Sequence, residues 1–495
     1  MTLDTIRDYC DHYAKTTPKK AFLLYGNGWY SRSKAQTCIQ GIARIIAEHG
    51  VAPKETVAFA CGNSPESALC VLGIMYGGYV ATAVNLVAGD TTIGYVLEHS
   101  EARLVFVDAA SEGKIRALVS EAVTLVRLDQ CVFYDTTEAT PYISKDHDHA
   151  LLMYTSGTTG RPKGVLHSHK SLLAGGQNVV IGHELTEDDR ALCTLPLYHI
   201  NGLCVTLIAP LVSGGSVTLP EKFSTSKFWP DIKDHECSWF SLVPTQISYL
   251  LHQEALFNKA EYPCLRFGRS ASAPLSPDIH AAFEQRFEIP IIETMGLTET
   301  AAQILSNPLP PKARKIGSPG LAVGNEVIIA DLNQDLVAAN TEGEVLVRGD
   351  NVMQGYLKNP TATTEAMTPK GWLRTGDLGR MDADGYVFIT GRIKELIIKG
   401  GENIAPREID EALYSHRDVV EAAAFACPCK NYGERVEAAV ALSPDTEATA
   451  ETLRILCEEK LGKFKTPDRI HVMTELPKGP SGKIQRRILS ETFGL

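Results

Sequence analysis

The chain lacks any apolar run long enough to cross a membrane. Two segments, 71–88 and 191–220, contain no Asp, Glu, Lys or Arg, but Gly, Ser, Thr, Asn or Pro interrupts both of them. A membrane-spanning helix needs about 20 predominantly apolar residues. The opening residues, MTLDTIRDYCDHYAK, include early acids and lack the apolar centre of a signal peptide. These absences predict that the protein has no membrane partner and works in the cytoplasm.

An excess of basic charge is also missing. The chain has 48 Lys and Arg against 59 Asp and Glu, a net charge of −11, which argues against a nucleic-acid partner. Its twelve cysteines are scattered, without a pair of C-x-x-C motifs, so we expect reduced cysteines and no zinc site. With 44% hydrophobic and 22% charged residues, the composition is that of an ordinary globular protein. A chain of 495 residues exceeds one ordinary core and predicts two or three domains.

Strand-like and helix-like segments alternate up to residue 391. Strands are predicted at 21–24, 56–60 and 104–107, and helices at 33–49 and 65–76. Beyond residue 391 the elements are shorter, with strands at 421–426, 436–442 and 470–473 and a helix at 447–461. This order predicts an α/β fold, in which a large N-terminal domain (1–391) has layered, mostly parallel sheets flanked by helices. The remainder (392–495) is predicted to form a small α+β domain.

A glycine-rich loop is the most informative segment of the chain. Residues 154–165, YTSGTTGRPKGV, follow a short apolar strand. Small residues let the backbone approach a ligand, and consecutive N–H groups in such a turn can bind an anion. Further donors are supplied by Thr155, Ser156, Thr158, Thr159, Arg161 and Lys163, around Gly157. We interpret the loop as a polyphosphate-binding site, although not a Walker A loop, because Gly164 follows Lys163.

Five further segments join this loop in a fixed order. They are LPLYHINGL (195–203), ETMGLTET (293–300), GWLRTGDLGR (371–380), GRIKELIIKGGENIAPREIDEAL (391–413) and LPKGPSGKIQRR (476–487). Together they resemble the adenylate-forming superfamily of acyl-CoA synthetases, luciferases and peptide-synthetase adenylation domains, over essentially the whole chain. The resemblance implies an active site between a large domain and a small mobile C-terminal domain. It also implies two half-reactions: a carboxylate attacks ATP to give acyl-AMP and pyrophosphate, and a thiol then displaces AMP.

The resemblance assigns nucleotide-binding roles to residues of these motifs. The hydroxyl of Thr298 would contact a phosphate, and the carboxylate of Glu299 would bind Mg²⁺, a hard cation that suits few carboxylates plus phosphate oxygens. Asp377 would accept both ribose hydroxyls, and Arg392 would contact the ribose or a phosphate. The remaining nucleotide-binding set comprises Ala273, Pro274, Thr294, Met295 and Gly296. Met295 stands where the family usually has an aromatic residue, and its polarizable side chain can cover the adenine ring instead.

The resemblance also assigns roles to residues of the C-terminal part. Lys483 would enter the active site during adenylation and bridge the carboxylate to the α-phosphate region, as a flexible point charge can. Lys394 falls at the family's hinge position, although by itself it reads as a surface lysine. The segment Lys399, Gly400 and Gly401 would face the site after domain rotation. There Gly401 would leave room for the pantetheine of CoA; a simple Gly-Gly turn is the alternative.

The acyl pocket is expected, by position, to include His199, Trp239, Phe240, Val243 and Arg269. His199 either controls access of the acid and ATP or is a core histidine. Arg269 either pairs with a second carboxylate of the substrate or takes part in a structural salt bridge. The segments 223–245 and 266–274 look most like those of small-acid CoA ligases, the oxalyl-CoA type included. Trp239 and Phe240 would shorten an acyl tunnel, and Thr294 replaces the arginine of malonyl-type ligases.

The thiol acceptor is predicted to be coenzyme A, because PLYHINGL and KGGEN resemble the corresponding motifs of CoA ligases. The alternative is a stand-alone enzyme that loads a carrier-protein phosphopantetheine. Asp234 lies just outside the segment 239–245, where amino-acid-activating relatives place an aspartate, and we expect no carrier domain after Lys483. A non-catalytic binding protein is disfavoured because Glu299, Asp377, Arg392 and Lys483 are all present. Whether the enzyme is a homodimer stays open.

Overall fold

The computed structural model describes residues 3–26, 28–131, 142–155, 161–253, 257–444, 446–479 and 482–494. In this part of the chain, four sheets and their flanking helices form the fold. Two large sheets build most of the N-terminal part, and a four-stranded antiparallel sheet follows them. The fourth sheet belongs to the C-terminal part, where each of its strands lies beyond residue 391.

The seven-stranded sheet supports the predicted phosphate loop. Its strands, in spatial order, are Gly355–Tyr356, Lys163–Ser168, His149–Thr155, Val80–Ala83, Thr56–Ala60, Leu104–Val107 and Thr124–Arg127. The last five run parallel, whereas Lys163–Ser168 turns back antiparallel along His149–Thr155. The helices in this region are Ile6–Thr16, Arg32–Glu48, Pro65–Tyr76, Asp90–His99, Glu112–Arg116 and His169–His183.

The nine-stranded sheet supports the predicted acyl pocket. Its strands, in spatial order, are Leu321–Ala322, Ala302–Ser306, Ile291–Leu297, Phe267–Ser270, Trp239–Leu242, Arg190–Leu192, Ser216–Thr218, Ala21–Tyr25 and Gly28–Ser31. The central strands are parallel, so Val243, Ser272 and Thr298 all follow strand ends at one edge. Ligands of α/β sheets bind at such an edge. The accompanying helical segments are Asn201–Ile208 (a π-helix), Ala209–Ser213, Thr225–Asp234, Pro244–Leu251 and Pro277–Phe287.

Two smaller sheets complete the structure. The antiparallel sheet contains Glu326–Ala330, Gly343–Arg348, Leu373–Met381 and Val387–Arg392, with the helix Pro360–Ala366 nearby. The C-terminal sheet contains Ile397–Lys399, Glu402–Ile404, Val419–Cys429, Gly433–Leu442 and Arg469–Met473. Its helices are Pro406–Tyr414, Ala450–Leu461 and Arg486–Phe493. A core of its own, with Ile409, Val436 and Leu453 wholly buried, holds this part together.

The predicted α/β class is confirmed, with two local differences. The sheet built from 326–392 is wholly antiparallel, and its strands are neighbours in the sheet in the order in which they follow along the chain. The last long helix begins at Ala450 rather than at residue 447, because the Thr449 side chain accepts the backbone N–H of Thr452 and caps it. Among the described residues, no helix is long and apolar enough to span a membrane.

Candidate active site

The predicted phosphate loop begins and ends on paired strands. Thr155 and Lys163 are register partners at the loop end of the hairpin formed by His149–Thr155 and Lys163–Ser168, and both are half-buried. The Lys163 ammonium lies 4.8 Å from the ring centroid of Tyr356. The four other predicted loop residues, Ser156, Gly157, Thr158 and Thr159, lie outside the described residues. The structure therefore places the two ends of the loop beside Tyr356.

Tyr356 also fixes the proposed magnesium ligand. Its hydroxyl donates to Glu299 Oε1 at 2.9 Å, while Met353 N donates to Glu299 O at 2.8 Å. Burial raises the pKa of Tyr356, and the Glu299 charge adds to that shift, so the phenol stays a donor. No signal in the sequence pointed to Tyr356, because its segment carries no catalytic pattern.

The donor set around Glu299 fits Mg²⁺ held together with phosphate. No group of three or more His, Cys, Asp or Glu that could hold a metal exists among the described residues. One oriented carboxylate therefore leaves most coordination positions to phosphate oxygens and water, as Mg²⁺ prefers. Thr298 precedes Glu299 in the chain. His167 fixes the backbone at this point, since its Nε2 lies 2.7 Å from Thr298 O.

Asp377, which is buried, and Arg392, which is half-buried, form an ion pair across the antiparallel sheet. They are register partners on Leu373–Met381 and Val387–Arg392, and Arg392 Nε lies 2.7 Å from Asp377 Oδ1. Burial raises the pKa of the Asp377 carboxyl, and Arg392 offsets part of this shift. Asp377, which the resemblance assigns to the ribose, and Arg392, which it assigns to the ribose or a phosphate, are thus adjacent and oriented by each other.

Lys483 reaches the same region from the C-terminal part. Its Nζ lies 3.8 Å from Glu395 Oε1, and its side chain is 40% exposed. Partial desolvation lowers the pKa of the Lys483 ammonium, whereas Glu395 opposes that shift, with Arg392 and Asp377 also close enough to act on it. Thr245 Oγ1 donates to Gly482 O at 3.1 Å, so the lysine loop is docked beside Val243.

His199 faces Lys483 and stays neutral at ordinary pH. Burial lowers the pKa of His199 to about 4, and the positive charge of Lys483 adds to this shift. Asn201 N donates to His199 Nδ1 at 3.2 Å, which leaves the proton on Nε2. A neutral imidazole that donates through Nε2 can bind an anionic substrate atom without titrating. His199 is half-buried, and its role in controlling access of the acid and ATP stays a prediction.

Contacts between the helix Pro244–Leu251 and the C-terminal sheet hold Lys483 in this position. Ser248 Oγ donates to Val420 O at 2.8 Å, and the Tyr249 hydroxyl donates to Glu421. Glu421 is buried and also accepts Lys478 Nζ at 2.7 Å. The structure therefore shows the chain with the lysine loop docked on the N-terminal part.

The other predicted C-terminal residues are arranged differently. Lys399 is buried, with Nζ donating to Phe464 O at 2.9 Å, inside the C-terminal part. Gly401 is exposed with φ +89°, and no atom lies within 4 Å of the position its Cβ would take. Lys394 is exposed in the short turn Ile393–Glu395 that follows Arg392. No described contact of Lys399 links it to Asp377 or Lys483 in this conformation.

Residues of the predicted adenine and acyl regions line the sheet edge. Ala273 is half-buried and Pro274 exposed after the strand Phe267–Ser270, and Thr294 Oγ1 donates to Ser270 O at 3.2 Å. Met295 is half-buried and packs against the core of the antiparallel sheet. A Cβ on Gly296 would lie 1.7 Å from Ala302 O, so only glycine fits there.

Two predicted pocket residues need correction. Trp239 and Phe240 are 0% exposed and belong to different core clusters, on opposite faces of one strand. Trp239 stacks on Phe267, with ring centroids 5.8 Å apart, and Phe240 packs against Phe228. Successive strand residues point to opposite faces, so the two rings cannot line one pocket. Val243, which follows them, is buried next to Gly482, and its place in the acyl pocket stays a prediction.

Comparisons with known proteins agree with this arrangement. The AMP-binding enzyme family model matches residues 10–357, and the model of the AMP-binding enzyme C-terminal domain matches residues 408–483. The chain belongs to the AMP-binding enzyme family. The sulfoacetate–CoA ligase of Cupriavidus necator is 47% identical to it, over 98% of this chain and 97% of that protein. The oxalate–CoA ligase of Arabidopsis thaliana is 35% identical, over 100% and 99% respectively.

A solved structure extends the comparison to the ligands. The o-succinylbenzoate–CoA synthetase MenE of Bacillus subtilis, in complex with ATP and a magnesium ion, superimposes with a TM-score of 0.86 at 28% identity, covering 97% of this chain and 98% of that one. The resemblance to adenylate-forming enzymes is thereby confirmed. The chain is an AMP-forming acyl-CoA ligase that uses ATP, Mg²⁺ and CoA.

Proposed function

We propose that this ligase activates a short carboxylic acid at the sheet edge between His199, Val243 and Lys483. The observation that carries the proposal is that the lysine loop is docked beside Val243, with Lys483 close enough to Asp377, Arg392 and His199 to interact electrostatically with each of them. The two relatives compared above act on two-carbon acids, sulfoacetate and oxalate.

In the first half-reaction, each residue would supply fixed charge where charge develops. Asp377 would hold the ribose, while Thr298, Arg392 and the loop ending at Lys163 would hold the phosphates. When Mg²⁺ is bound through Glu299, it would neutralise phosphate charge. Lys483 would draw the acid carboxylate toward the α-phosphate and stabilise the charge of the transition state. Electrostatic stabilisation of this kind is usually the largest single contribution to catalysis.

In the second half-reaction, the C-terminal domain would rotate about a hinge at Lys394. We place the domain boundary between residues 391 and 392, at the end of the strand Val387–Arg392. Exposure of Lys394 supports this, since a hinge residue must stay solvated in both states. Rotation would withdraw Lys483 and bring Lys399, Gly400 and Gly401 to the site, where Gly401 would leave room for pantetheine.

The proposal takes free CoA, rather than a carrier protein, as the acceptor. The similarity to the two CoA-ligase relatives extends over almost the full length of this chain and of both relatives, which supports this choice. A cytoplasmic location and a homodimer remain predictions. Gel filtration with light scattering on the purified chain would test the oligomeric state.

A substrate screen tests the proposed function. Purified enzyme, ATP and Mg²⁺ are incubated with short, dicarboxylic, sulfonated, aryl, long-chain and amino acids, and acyl-AMP is trapped as the hydroxamate. We expect the highest adenylation with acids of two to about four carbons. Each methylene changes kcat/KM by about 10–200-fold, so the preference should be measurable along the series. Preferential activation of aryl or long-chain acids would contradict the proposal. Product assays with CoA and with a phosphopantetheinylated carrier protein then identify the acceptor.

A further inference from the structure

Arg269 is a wholly buried cation that the structure leaves without an acid partner. It is 1% exposed, on the strand Phe267–Ser270, and no Asp or Glu of the described residues forms a salt bridge with it. Its Nη1 donates to Asn201 Oδ1 at 2.9 Å and to Ser241 Oγ at 3.0 Å, and its buried Nε has no partner among the described residues. The part of the chain that the structure describes therefore does not contain the structural salt bridge that the sequence left open.

Burial without a counter-charge is costly for a guanidinium. Burial lowers the pKa of Arg269 to about 9, and Cys204 opposes this only in part. Buried arginines are nearly always paired, and two neutral acceptors do not replace a carboxylate. The other arginine at this strand shows the contrast, since Arg266 Nη1 pairs with Asp189 Oδ1 at 2.5 Å.

A short hydrogen-bonded chain connects Arg269 to the proposed reaction site. Asn201 accepts from Arg269 and Ser241 through Oδ1, and donates through Nδ2 to Ser272 Oγ at 3.3 Å. The backbone N of the same Asn201 donates to His199 Nδ1. One residue thus contacts both the buried guanidinium and the imidazole that faces Lys483.

We propose that Arg269, oriented by Asn201 and Ser241, binds a second anionic group of the acid substrate, a carboxylate or a sulfonate. The inference rests on the proposed function, because it concerns the far end of the same short acid. The planar guanidinium can donate two parallel hydrogen bonds to such a group, through atoms that have no partner now. The substrate anion would supply the counter-charge that the protein omits. The ligase would therefore select short dianionic acids over monoanionic acids of the same length.

Four acids and three variants test the inference. AMP formation with ATP, Mg²⁺ and CoA is measured for oxalate and sulfoacetate, and for acetate and propionate, which lack the second anion. Arg269→Gln removes the charge, Arg269→Lys keeps it, and Arg266→Gln is the matched control on the neighbouring paired arginine. We expect Arg269→Gln to lower kcat/KM for the dianionic substrate by about 10²–10³. We expect changes within a few-fold for the monoanionic acids and for the KM of ATP.

The two dianions identify the group that is recognised. A larger loss with sulfoacetate indicates a sulfonate subsite, and a larger loss with oxalate indicates a carboxylate subsite. Arg269→Lys should retain part of the preference, and Arg266→Gln all of it. Equal losses on all four acids, or a wild-type preference for acetate or propionate, would overturn the inference and leave the proposed function standing. A wild-type enzyme that activates no short acid overturns the proposed function instead.

Thermal unfolding without substrates separates recognition from a structural role. Because Arg269 has no acid partner, Arg269→Gln should leave the Tm unchanged or raise it. Arg266→Gln breaks an ion pair and should lower the Tm. A drop in Tm for Arg269→Gln greater than that for Arg266→Gln would contradict the inference.

Discussion

Lys483 Nζ lies 3.8 Å from Glu395 Oε1, so the proposed catalytic lysine faces an acid of the turn that contains the proposed hinge residue. The other carboxylate oxygen, Glu395 Oε2, lies 3.5 Å from Arg486 Nε. One carboxylate therefore contacts two cations of the C-terminal segment. The pair links the position of Lys483 to the segment about which the domain would rotate. Neither contact could be read from the sequence, where Glu395 and Lys483 are far apart.

Replacing Glu395 by Gln should change the pH dependence of adenylation. Glu395 opposes the desolvation that lowers the pKa of Lys483, so removing its charge lowers that pKa further. The protonated lysine is then lost at lower pH, and the alkaline limb of the pyrophosphate-exchange profile should move to lower pH. Lys483→Arg, whose guanidinium does not titrate, should abolish the limb. A limb that stays in place in Glu395→Gln would mean that another group is titrating.

The sequence was sufficient to predict the fold class and the residues around Asp377, because family motifs mark strand ends and loops. It could not show that Asp377 and Arg392 are register partners, which depends on the turn between their strands. Strand alternation places the side chains of Trp239 and Phe240 on opposite faces, so at most one of the two can line the acyl pocket. A place for either residue in that pocket stays a prediction.

The sequence did not single out two other residues of the site. Tyr356 acts through one hydrogen bond to Glu299, and Asn201 through three contacts with residues far away in the chain. Tyr356 stands in a segment without a catalytic pattern, and Asn201 lies within the motif 195–203, which does not reveal its contacts. Their roles depend on tertiary packing, so only the structure could show them.

Removing the hydroxyl of Tyr356 should weaken the response to magnesium. Tyr356→Phe leaves Glu299 without the donor that orients its carboxylate, and partners of this type typically affect metal affinity by about 10–100-fold. We expect the Mg²⁺ concentration for half-maximal adenylation to rise, with the maximal rate less affected. Tyr386→Phe, which removes a hydroxyl bonded to Ala313 O, is the control. An unchanged Mg²⁺ titration would refute the role of Tyr356.

Removing the hydroxyl of Tyr249 should weaken the docking of the lysine loop. The hydrogen bond to the Glu421 carboxylate is of the charged type, worth about 1.5–3 kcal/mol. Tyr249→Phe should therefore slow adenylation by roughly 10-fold or more, while thioester formation from supplied acyl-AMP is spared. Tyr25→Phe removes an exposed hydroxyl bond to Glu221 and should have no effect. Equal slowing of both steps by Tyr249→Phe would argue against a role in docking.

A side chain at Gly401 should block the thiol step alone. Gly401→Leu leaves every proposed ATP contact in place, so pyrophosphate exchange should stay within a few-fold of wild type while CoA-dependent AMP release collapses. A side chain at a positive φ costs roughly 1–2 kcal/mol of backbone strain. Gly462→Leu is the control for this cost, because Gly462 has φ +75° and open surroundings as well. Single-turnover measurements separate the steps. Normal thioester formation would mean that Gly401 is only a turn residue.

The central claim, that Lys483 serves adenylation in one conformation and leaves before the thiol attacks, is tested by Lys483→Ala in the two half-reactions. Adenylation should fall by about 10²–10³, the loss expected when one stabilising group is removed from a transition state. Thioester formation from supplied acyl-AMP and CoA should stay near the wild-type rate. An equal fall in both half-reactions would contradict the account.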